Sequence, residues 1–252
     1  MSSASNTCCI FLDHSNIFGG ARKMAVALEG ESTRHAVRLH YDSLIRLASA
    51  GRIVTTGVCA GSIRGAERTP PGLTPTVRQS LAASCIEVEV YERSENTHTE
   101  QAVDQAIQVH MLRALADQPP GVAVLLTGDG SGYQYGKGFR ADLERMHRQG
   151  WGIELLAWNT NCNRYMRDWA ADHGCFIPLD NYYYTLTYIK EQRELEDLIS
   201  PERPVASPCR EGRCPPTSPA SRGHDKVVRA PHGLSVVPTG VTRDLSSIQF
   251  TS

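Results

Sequence analysis

Two short, wholly apolar runs, each leading to an aspartate, constrain the fold of this chain more than any other feature. Residues 8–12 are followed directly by Asp13, and residues 122–126 are followed three positions later by Asp129. A strand that is apolar at every position is buried on both faces, as in the centre of a parallel sheet. Helices must cover both faces of such a sheet, so the chain is predicted to be an α/β protein.

Strand and helix signals alternate along most of the chain. The predicted strands are 8–12, 53–59, 86–91, 122–126, 152–158 and 175–179, and the predicted helices are 34–50, 75–84, 99–116, 139–148 and 163–173. Strands separated by helices indicate parallel βαβ units. We therefore expect a three-layer α/β/α sandwich with a mainly parallel sheet of five or six strands.

The composition changes near residue 200. Residues 200–252 hold seven Lys or Arg against four Asp or Glu, with many Pro, Ser and Gly and no long periodic apolar segment. Such a segment buries too little apolar surface to offset the entropy lost on ordering. We expect one domain at 7–199 and a largely disordered Pro/Ser-rich tail at 200–252. The tail is either a solvated extension or a contact for RNA or a partner protein.

Charge, apolar runs and cysteine usage narrow the class of protein. The formal net charge is -1, so any nucleic-acid site must be local. No run approaches the roughly 20 apolar residues that span a bilayer, and residues 1–7 lack the basic start of a secretory signal. The eight cysteines include no CxxC pair, and several fall in predicted strands, which is typical of reduced thiols. The prediction is an intracellular protein, cytoplasmic or nuclear, that does not bind membranes.

Carboxylates stand at three separate points of the predicted sheet and helices. Asp13 and Asp129 follow strands, and Asp104 lies in the first turns of the long helix, four residues after Glu100. Ligands of parallel sheets bind at the carboxyl ends of the strands, so Asp13, Asp104 and Asp129 can meet at one edge. Gathered carboxylates repel one another, and a hard divalent cation such as Mg²⁺ relieves that repulsion. The chemistry this indicates is metal-assisted hydrolysis of phosphodiesters.

Each of these acidic positions also has an ordinary structural interpretation. Asp13 or Asn16 can cap a helix. Asp129 precedes a glycine, which is a common pair in β-turns. Glu100 and Asp104 share one helix face, which can simply be solvated. These alternatives stay open for each position taken singly.

Taken in order, the motifs are more specific than any one of them. They are I-F-L-D-H-S-N at 10–16, A-V-D at 102–104, V-L-L-T-G-D-G at 124–130, G-W-G-I-E-L at 150–155 and F-I-P-L-D ending at Asp180. Over residues 8–180 this set resembles the NYN branch of the PIN-like nuclease superfamily. The resemblance implies an endoribonuclease that depends on Mg²⁺ or Mn²⁺ and hydrolyses RNA, single-stranded RNA first of all, with metal-bound water.

The resemblance also implies roles for particular residues. Asp13, Asp104 and Asp129 match the metal-site carboxylates, and Asn16 matches a residue that orients metal-bound water or the substrate phosphate. Glu100 has no match in the family pattern and is predicted as a further metal ligand from its place one helical turn before Asp104.

The chain departs from the commoner family pattern at two positions. Many members carry a further aspartate where Ser131 stands here, and another where His110 stands. Glu100 is the candidate to compensate for these losses. The departures keep a second interpretation open, a catalytically weakened module that binds RNA or a protein partner.

Other classes of phosphoryl-transfer protein are less consistent with the sequence. A covalent aspartyl phosphatase is expected to show D-x-D at the first strand, and Ser15 follows Asp13 at that spacing. The P-loop pattern GxxxxGK[ST] does not occur, which excludes that phosphate-binding motif. A phosphatase or a nucleotide-binding enzyme is a third and less favoured interpretation, because aspartates at strand ends serve many phosphoryl-transfer reactions. The oligomeric state stays open, including a homo-oligomer or a partner bound through the tail.

Some polar residues near the predicted site have two interpretations. The tyrosines of the glycine-rich loop 130–138 can stack on bases or belong to a mobile surface loop. His14 can act as an acid or base, although a turn histidine is the simpler interpretation. Basic side chains on the two following helices can contact phosphates or form a solvated face; they are Arg140, Arg145, His147, Arg148, Arg164 and Arg167.

Overall fold

The computed structural model describes residues 6–63, 69–92, 101–196 and 203–208. The chain divides into two units, Met1–Cys214 and Pro215–Ser252, and the second lies wholly outside the described residues. The nature of the tail from residue 209 onward therefore stays a prediction. Among the helices of the described ranges, none is long and apolar enough to cross a membrane. The six cysteines in these ranges are free thiols.

A six-stranded sheet in the order β4-β3-β1-β5-β6-β7 forms the centre of the first unit. Its strands are β1 (Thr7–Asp13), β3 (Ile53–Ile63), β4 (Ile86–Glu92), β5 (Val122–Leu126), β6 (Gly152–Ala157) and β7 (Cys175–Pro178). Each neighbouring pair in this sheet is parallel. This confirms the predicted fold class.

Helices cover both faces of the sheet. They are α1 (His14–Glu29), α2 (Tyr41–Ser49), α3 (Pro75–Ala83), α4 (Gln101–Asp117), α5 (Gly138–Arg148), α6 (Arg164–His173) and α7 (Tyr183–Leu186). One core lies between the sheet and α1, α2, α3 and α7, and a second core lies between the sheet and α4, α5 and α6. In β1, Ile10 and Leu12 enter the first core while Cys9 and Phe11 enter the second. The wholly apolar run is explained by this burial on both faces.

The strand order reverses beside β1, and this sets the place of a site. β1 pairs with β3 on one side and with β5 on the other, with Leu12 opposite Leu126. Outside the carboxyl ends of the two strands at such a reversal, open α/β sheets have their binding crevice. Asp13 ends β1 at this edge, and the turn that carries Asp129 follows β5.

The helix predicted over 34–50 is wrong in its first half. Val37–Leu39 forms a strand, β2, which pairs antiparallel with β8 (Thr187–Ile189) in a second, two-stranded sheet. The α2 helix begins only at Tyr41, where the His40 side chain accepts a hydrogen bond from the Ser43 backbone N–H as an N-cap. Val37 is buried in β2, so its apparent helical spacing to the residues of α2 joined two different elements.

A second correction concerns residues 14–29, for which no helix is predicted and which form α1. Two adjacent glycines, Gly19 and Gly20, lower the helix propensity of this segment. Gly20 lies against the Trp158 indole, because a Cβ at that position would be 2.1 Å from Trp158 Cδ1. Tertiary packing therefore accounts for a residue that disfavours the helix locally.

Residues 203–208 pack against the domain through a buried ion cluster. Glu154 of β6 is fully buried and accepts hydrogen bonds from Arg52 at 2.6 and 2.7 Å, from Arg203 at 2.8 Å and from the Ala206 backbone N–H at 2.8 Å. Burial by itself would raise the pKa of Glu154, but the two guanidinium groups hold it below its usual range. Residues 203–208 thus contact the body of the domain, and the domain limit expected at 199 stays a prediction.

Candidate active site

Asp13 ends β1 and also begins α1. Its Oδ1 accepts a hydrogen bond from the Asn16 backbone N–H at 3.0 Å, and its Oδ2 accepts one from the Thr127 hydroxyl at 2.9 Å. The residue is only 3% exposed. Burial raises the pKa of Asp13 to about 6, although both hydrogen bonds act in the opposite direction. Each carboxylate oxygen retains a second lone pair, so the group can still ligate a cation.

Asn16 holds the turn that follows β5. Its side-chain Oδ1 accepts a hydrogen bond from the Gly128 backbone N–H at 2.9 Å. The helix cap, which was one interpretation of Asn16, is supplied by Asp13 instead. Asn16 therefore lies at the predicted site, where its observed contact positions the turn that carries Asp129.

Thr127 is a site residue that the sequence interpretation did not single out. Its buried hydroxyl donates to Asp13 and accepts a hydrogen bond from the Asp129 backbone N–H at 3.2 Å. A single hydroxyl thus fixes the relation between two carboxylate-bearing segments. The available signal was a polar residue placed directly after a wholly apolar strand.

Ser131 orients the carboxylate of Asp129. Its backbone N–H and its hydroxyl donate to Asp129 Oδ1 at 3.0 and 2.5 Å. Within the described ranges, Asp129 Oδ2 receives no such bond, so this oxygen is available to a cation. Where many family members were expected to carry another carboxylate, this chain has a donor that fixes the existing one.

Asp104 of α4 completes the group of three carboxylates. Burial first, and then the negative charges of Asp13 and Asp129, together raise its pKa to about 7. Those charges act on Asp104 only because the three groups share one region at the carboxyl edge of the sheet. No described residue donates a hydrogen bond to the Asp104 carboxylate. The three carboxylates offer hard oxygen ligands and repel one another, and a hydrated divalent cation fits such a group.

Glu100, predicted as a further metal ligand, lies outside the described residues. Its role stays a prediction.

His14 is buried at the start of α1, where it contacts two aromatic side chains. Its Nδ1 lies 2.9 Å from the Tyr41 hydroxyl, and its ring stacks on Phe18. Burial lowers the pKa of His14 to about 4, so the ring is uncharged near neutral pH. These contacts favour a structural role for His14, and the acid–base alternative stays a prediction.

His110 faces the edge strand β4. Its Nε2 lies 2.7 Å from Glu89 Oε1, and the Tyr91 hydroxyl also donates to Glu89. Glu87 joins this group, in which one ligand atom of each of Glu87, Glu89 and His110 lies within 4.8 Å of the others. Burial would raise the pKa of Glu89, but its hydrogen bonds to Tyr91 and His110 hold it lower. Tyr91 and His110 thus already engage the Glu89 carboxylate in this second cluster.

The glycines on either side of Asp129 allow the loop that follows β6 to pack closely against the turn. A Cβ at Gly128 would lie 2.2 Å from the Asn161 carbonyl oxygen, and a Cβ at Gly130 would lie 2.4 Å from Cγ of Asn163. The Asn163 backbone N–H also donates to the Gly128 carbonyl at 2.8 Å. The two loops at the carboxyl edge are therefore packed directly on each other, which explains glycine at both positions.

Three of the basic residues expected near phosphate differ in how free their side chains are to bind an anion. Arg140 and Arg145 pair within α5 with Glu144 and Asp142, at 3.1 and 2.6 Å. Arg164, at the start of α6, has a side chain that is 80% exposed. Of these three side chains, Arg164 is the one most readily available to an external anion.

These features define an α/β/α protein with a cluster of aspartates at the carboxyl edge of its central strands. A comparison with protein families matches the NYN domain over residues 8–173. The chain belongs to the NYN domain family, as the motifs of the sequence indicated. Comparisons with curated proteins and with solved structures gave no match.

Proposed function

We propose that the protein is an endoribonuclease of the NYN/PIN-like type that hydrolyses RNA with the help of Mg²⁺ or Mn²⁺. The observation that carries the proposal is that the Thr127 hydroxyl joins Asp13 to the Asp129 backbone at the carboxyl ends of β1 and β5. Membership of the NYN family supports it. Single-stranded RNA is the proposed partner, and an intracellular location remains a prediction.

The side chains divide into those that hold the ion and those that position them. Asp13, Asp104 and Asp129 supply the oxygen ligands. A divalent ion in such a site stabilises the charge on a phosphoryl group and lowers the pKa of water. Thr127 fixes Asp13 relative to the Asp129 backbone, and Asn16 holds the turn between them.

A catalytically weakened module that binds RNA or a protein is the second candidate. Two observations favour it. Ser131 provides hydrogen-bond donors where many relatives were expected to provide a carboxylate, and His110 is engaged with Glu89 on β4. The described residues therefore supply three site carboxylates, fewer than the family pattern led us to expect.

The test is an assay of purified protein on end-labelled single-stranded RNA. With Mg²⁺ or Mn²⁺ present, we expect internal cleavage that is abolished by EDTA. Asp129→Asn keeps the shape of the side chain and removes one negative ligand, so activity should fall by orders of magnitude with an unchanged melting temperature. Cleavage that persists in both controls comes from a contaminating nuclease. Binding without cleavage in any divalent ion supports the weakened module.

A further inference from the structure

Two tyrosines beside the candidate site are unusually exposed. Tyr135 is 74% exposed and Tyr165 is 73% exposed. Tyrosines more often bury the ring and leave only the hydroxyl in water. Aromatic faces left in solvent on ordered elements are available to a ligand that stacks.

Tyr135 is exposed although the turn that carries it is fixed. Tyr133 in the same 3-10 turn donates its hydroxyl to Glu144 at 2.8 Å, and the Arg140 guanidinium lies 3.9 Å from the centre of the Tyr133 ring. The Arg145 side chain donates to the carbonyl of Gly136 at 2.6 Å. The backbone around Tyr135 is thus held on both sides, so little conformational entropy would be lost when a base stacks on its ring.

Tyr165 lies in the first turn of α6 and is linked to the same network. Its backbone N–H is capped by Asn163 Oδ1 at 3.0 Å, and its carbonyl accepts from Arg140 at 3.4 Å. Asn163 is the residue that packs on Gly130, next to Asp129. A continuous set of contacts therefore runs from the aspartate cluster to both exposed tyrosines.

The charge around the two rings suits a polyanion. Residues 131–168 hold six Arg or Lys against four Asp or Glu, and one of those acids, Glu154, is buried in its own ion cluster on the other face of the sheet. Lys137 is exposed, and Arg164 is restrained only by a 3.5 Å contact with Asp168, an exposed pair that binds weakly. A protein of net charge -1 therefore has a locally positive surface beside its aspartates.

We propose that Tyr135 and Tyr165 each stack on a base of single-stranded RNA, and that Arg164 contacts its phosphate backbone. The proposal rests on the proposed function, since it places the substrate beside the same aspartates. Stacking on aromatic rings flanked by cations is the usual way in which proteins bind unpaired nucleic acid. Duplex RNA keeps its bases stacked internally and cannot use the two rings in this way.

The test measures the affinity of the full chain for a fluorescent single-stranded RNA in EDTA, where no cleavage occurs. Tyr135→Ala and Tyr165→Ala should each raise the dissociation constant about fivefold or more. Tyr135→Phe and Tyr165→Phe keep the ring and should stay within about twofold of the unchanged protein. Ile53→Ala is the matched surface control, because Ile53 is 62% exposed at the amino end of β3, on the opposite edge of the sheet.

The outcomes separate this proposal from the proposed function. Loss of affinity in the alanine variants, with recovery in the phenylalanine variants, supports stacking even if the protein cleaves no RNA. Unchanged affinity in both alanine variants overturns stacking even if the protein is an active nuclease. A loss of affinity for duplex RNA equal to that for single strands also overturns it.

Discussion

The Thr127 hydroxyl donates a hydrogen bond to Oδ2 of Asp13 at 2.9 Å, although 114 positions separate the two residues in the chain. This bond joins the carboxyl ends of β1 and β5 at the point where the strand order reverses. Both partners are buried, so the strength of the bond matters for folding as well as for the geometry of the aspartates.

Replacing Thr127 by Val should therefore destabilise the protein. Valine has nearly the same shape but leaves a buried carboxylate oxygen of Asp13 without its donor, which costs about 1–3 kcal/mol. Urea unfolding at pH 7 measures the loss. Thr127→Ser keeps the hydroxyl and is the control. Equal unfolding midpoints for the valine variant and the unchanged protein would show that the bond contributes nothing.

Asp13 should show two separable roles. Asp13→Asn retains an oxygen that can accept the Asn16 N–H and cap α1, whereas Asp13→Ala does not. We expect the alanine variant to be less stable than the asparagine variant by about 1 kcal/mol. Both variants should lose nuclease activity, because each removes a charged ligand. If the two melt alike, the cap of α1 is supplied by another group.

The raised acid pKa values predict that stability falls as the pH rises. The pKa of Asp13 is about 6 and that of Asp104 about 7 in the folded protein, against an ordinary value of 3.8. The folded state then binds more protons than the unfolded state, so the contribution is complete below about pH 4 and is lost as pH rises through 7. The rise in the pKa of the buried Asp13 alone corresponds to a loss on the order of 3 kcal/mol.

Urea midpoints between pH 4.5 and 8 measure this effect. Asp104→Asn removes one titrating group and relieves the repulsion on Asp13, so its profile should be flatter than that of the unchanged protein. Mn²⁺ added at pH 7 should restore part of the lost stability. Parallel profiles for the two proteins would contradict the coupling of Asp104 to the other carboxylates.

Ser131→Asp should tighten the binding of Mn²⁺ several-fold, because it adds a carboxylate and removes the hydroxyl donor from Asp129 Oδ1, while the backbone N–H donor at residue 131 remains. The same variant should melt at a lower temperature without metal, since it adds like charge to the cluster. Ser131→Asn has the same size without the charge and is the matched control. Calorimetric titration that finds equal affinities for the two variants would place residue 131 outside the metal site.

A chain that ends at Pro208 should unfold at the same urea concentration as the full chain, whereas a chain that ends at residue 202 should not. The shorter chain loses Arg203 and the Ala206 N–H from the buried Glu154 carboxylate. Removing a partner from a buried ion pair costs about 3–5 kcal/mol, and Arg52 remains to moderate the loss. Arg203→Ala should fall between the two chains. Identical unfolding curves for both truncations would return residues 203–208 to the tail.

The sequence predicts those parts of the fold that depend on the pattern of neighbouring residues. The apolar runs of β1 and β5 identify central strands, and Asp13 and Asp129 follow from where those strands end. Thr127 acquires its role only from the pairing of Leu12 with Leu126, which no local pattern encodes. The pairing of β2 with β8 is equally nonlocal, and each strand has only three residues. Strands this short are below the length at which alternation can be recognised.

The candidate site shows the same division. The aspartates were recognisable because strand ends converge in parallel sheets. The partner of His110 was not, because Glu89 lies on the edge strand and its side chain reaches α4 only through the packing of that helix. For Glu154 the decisive partner, Arg203, lies in a segment whose composition predicted disorder.

Arg203 and its neighbours lie at the edge of the sheet opposite to the aspartates. Ser207 and Pro208 lie against Gly152, the first residue of β6, and Asn6 lies beside Ile53 at the start of β3. Both ends of the described body thus leave from the amino edge of the sheet, about 15 Å of strand away from Asp129. In the proposed endoribonuclease, an RNA that lies across the carboxyl edge does not pass residue 6 or residue 208, and this arrangement is compatible with cleavage at internal positions.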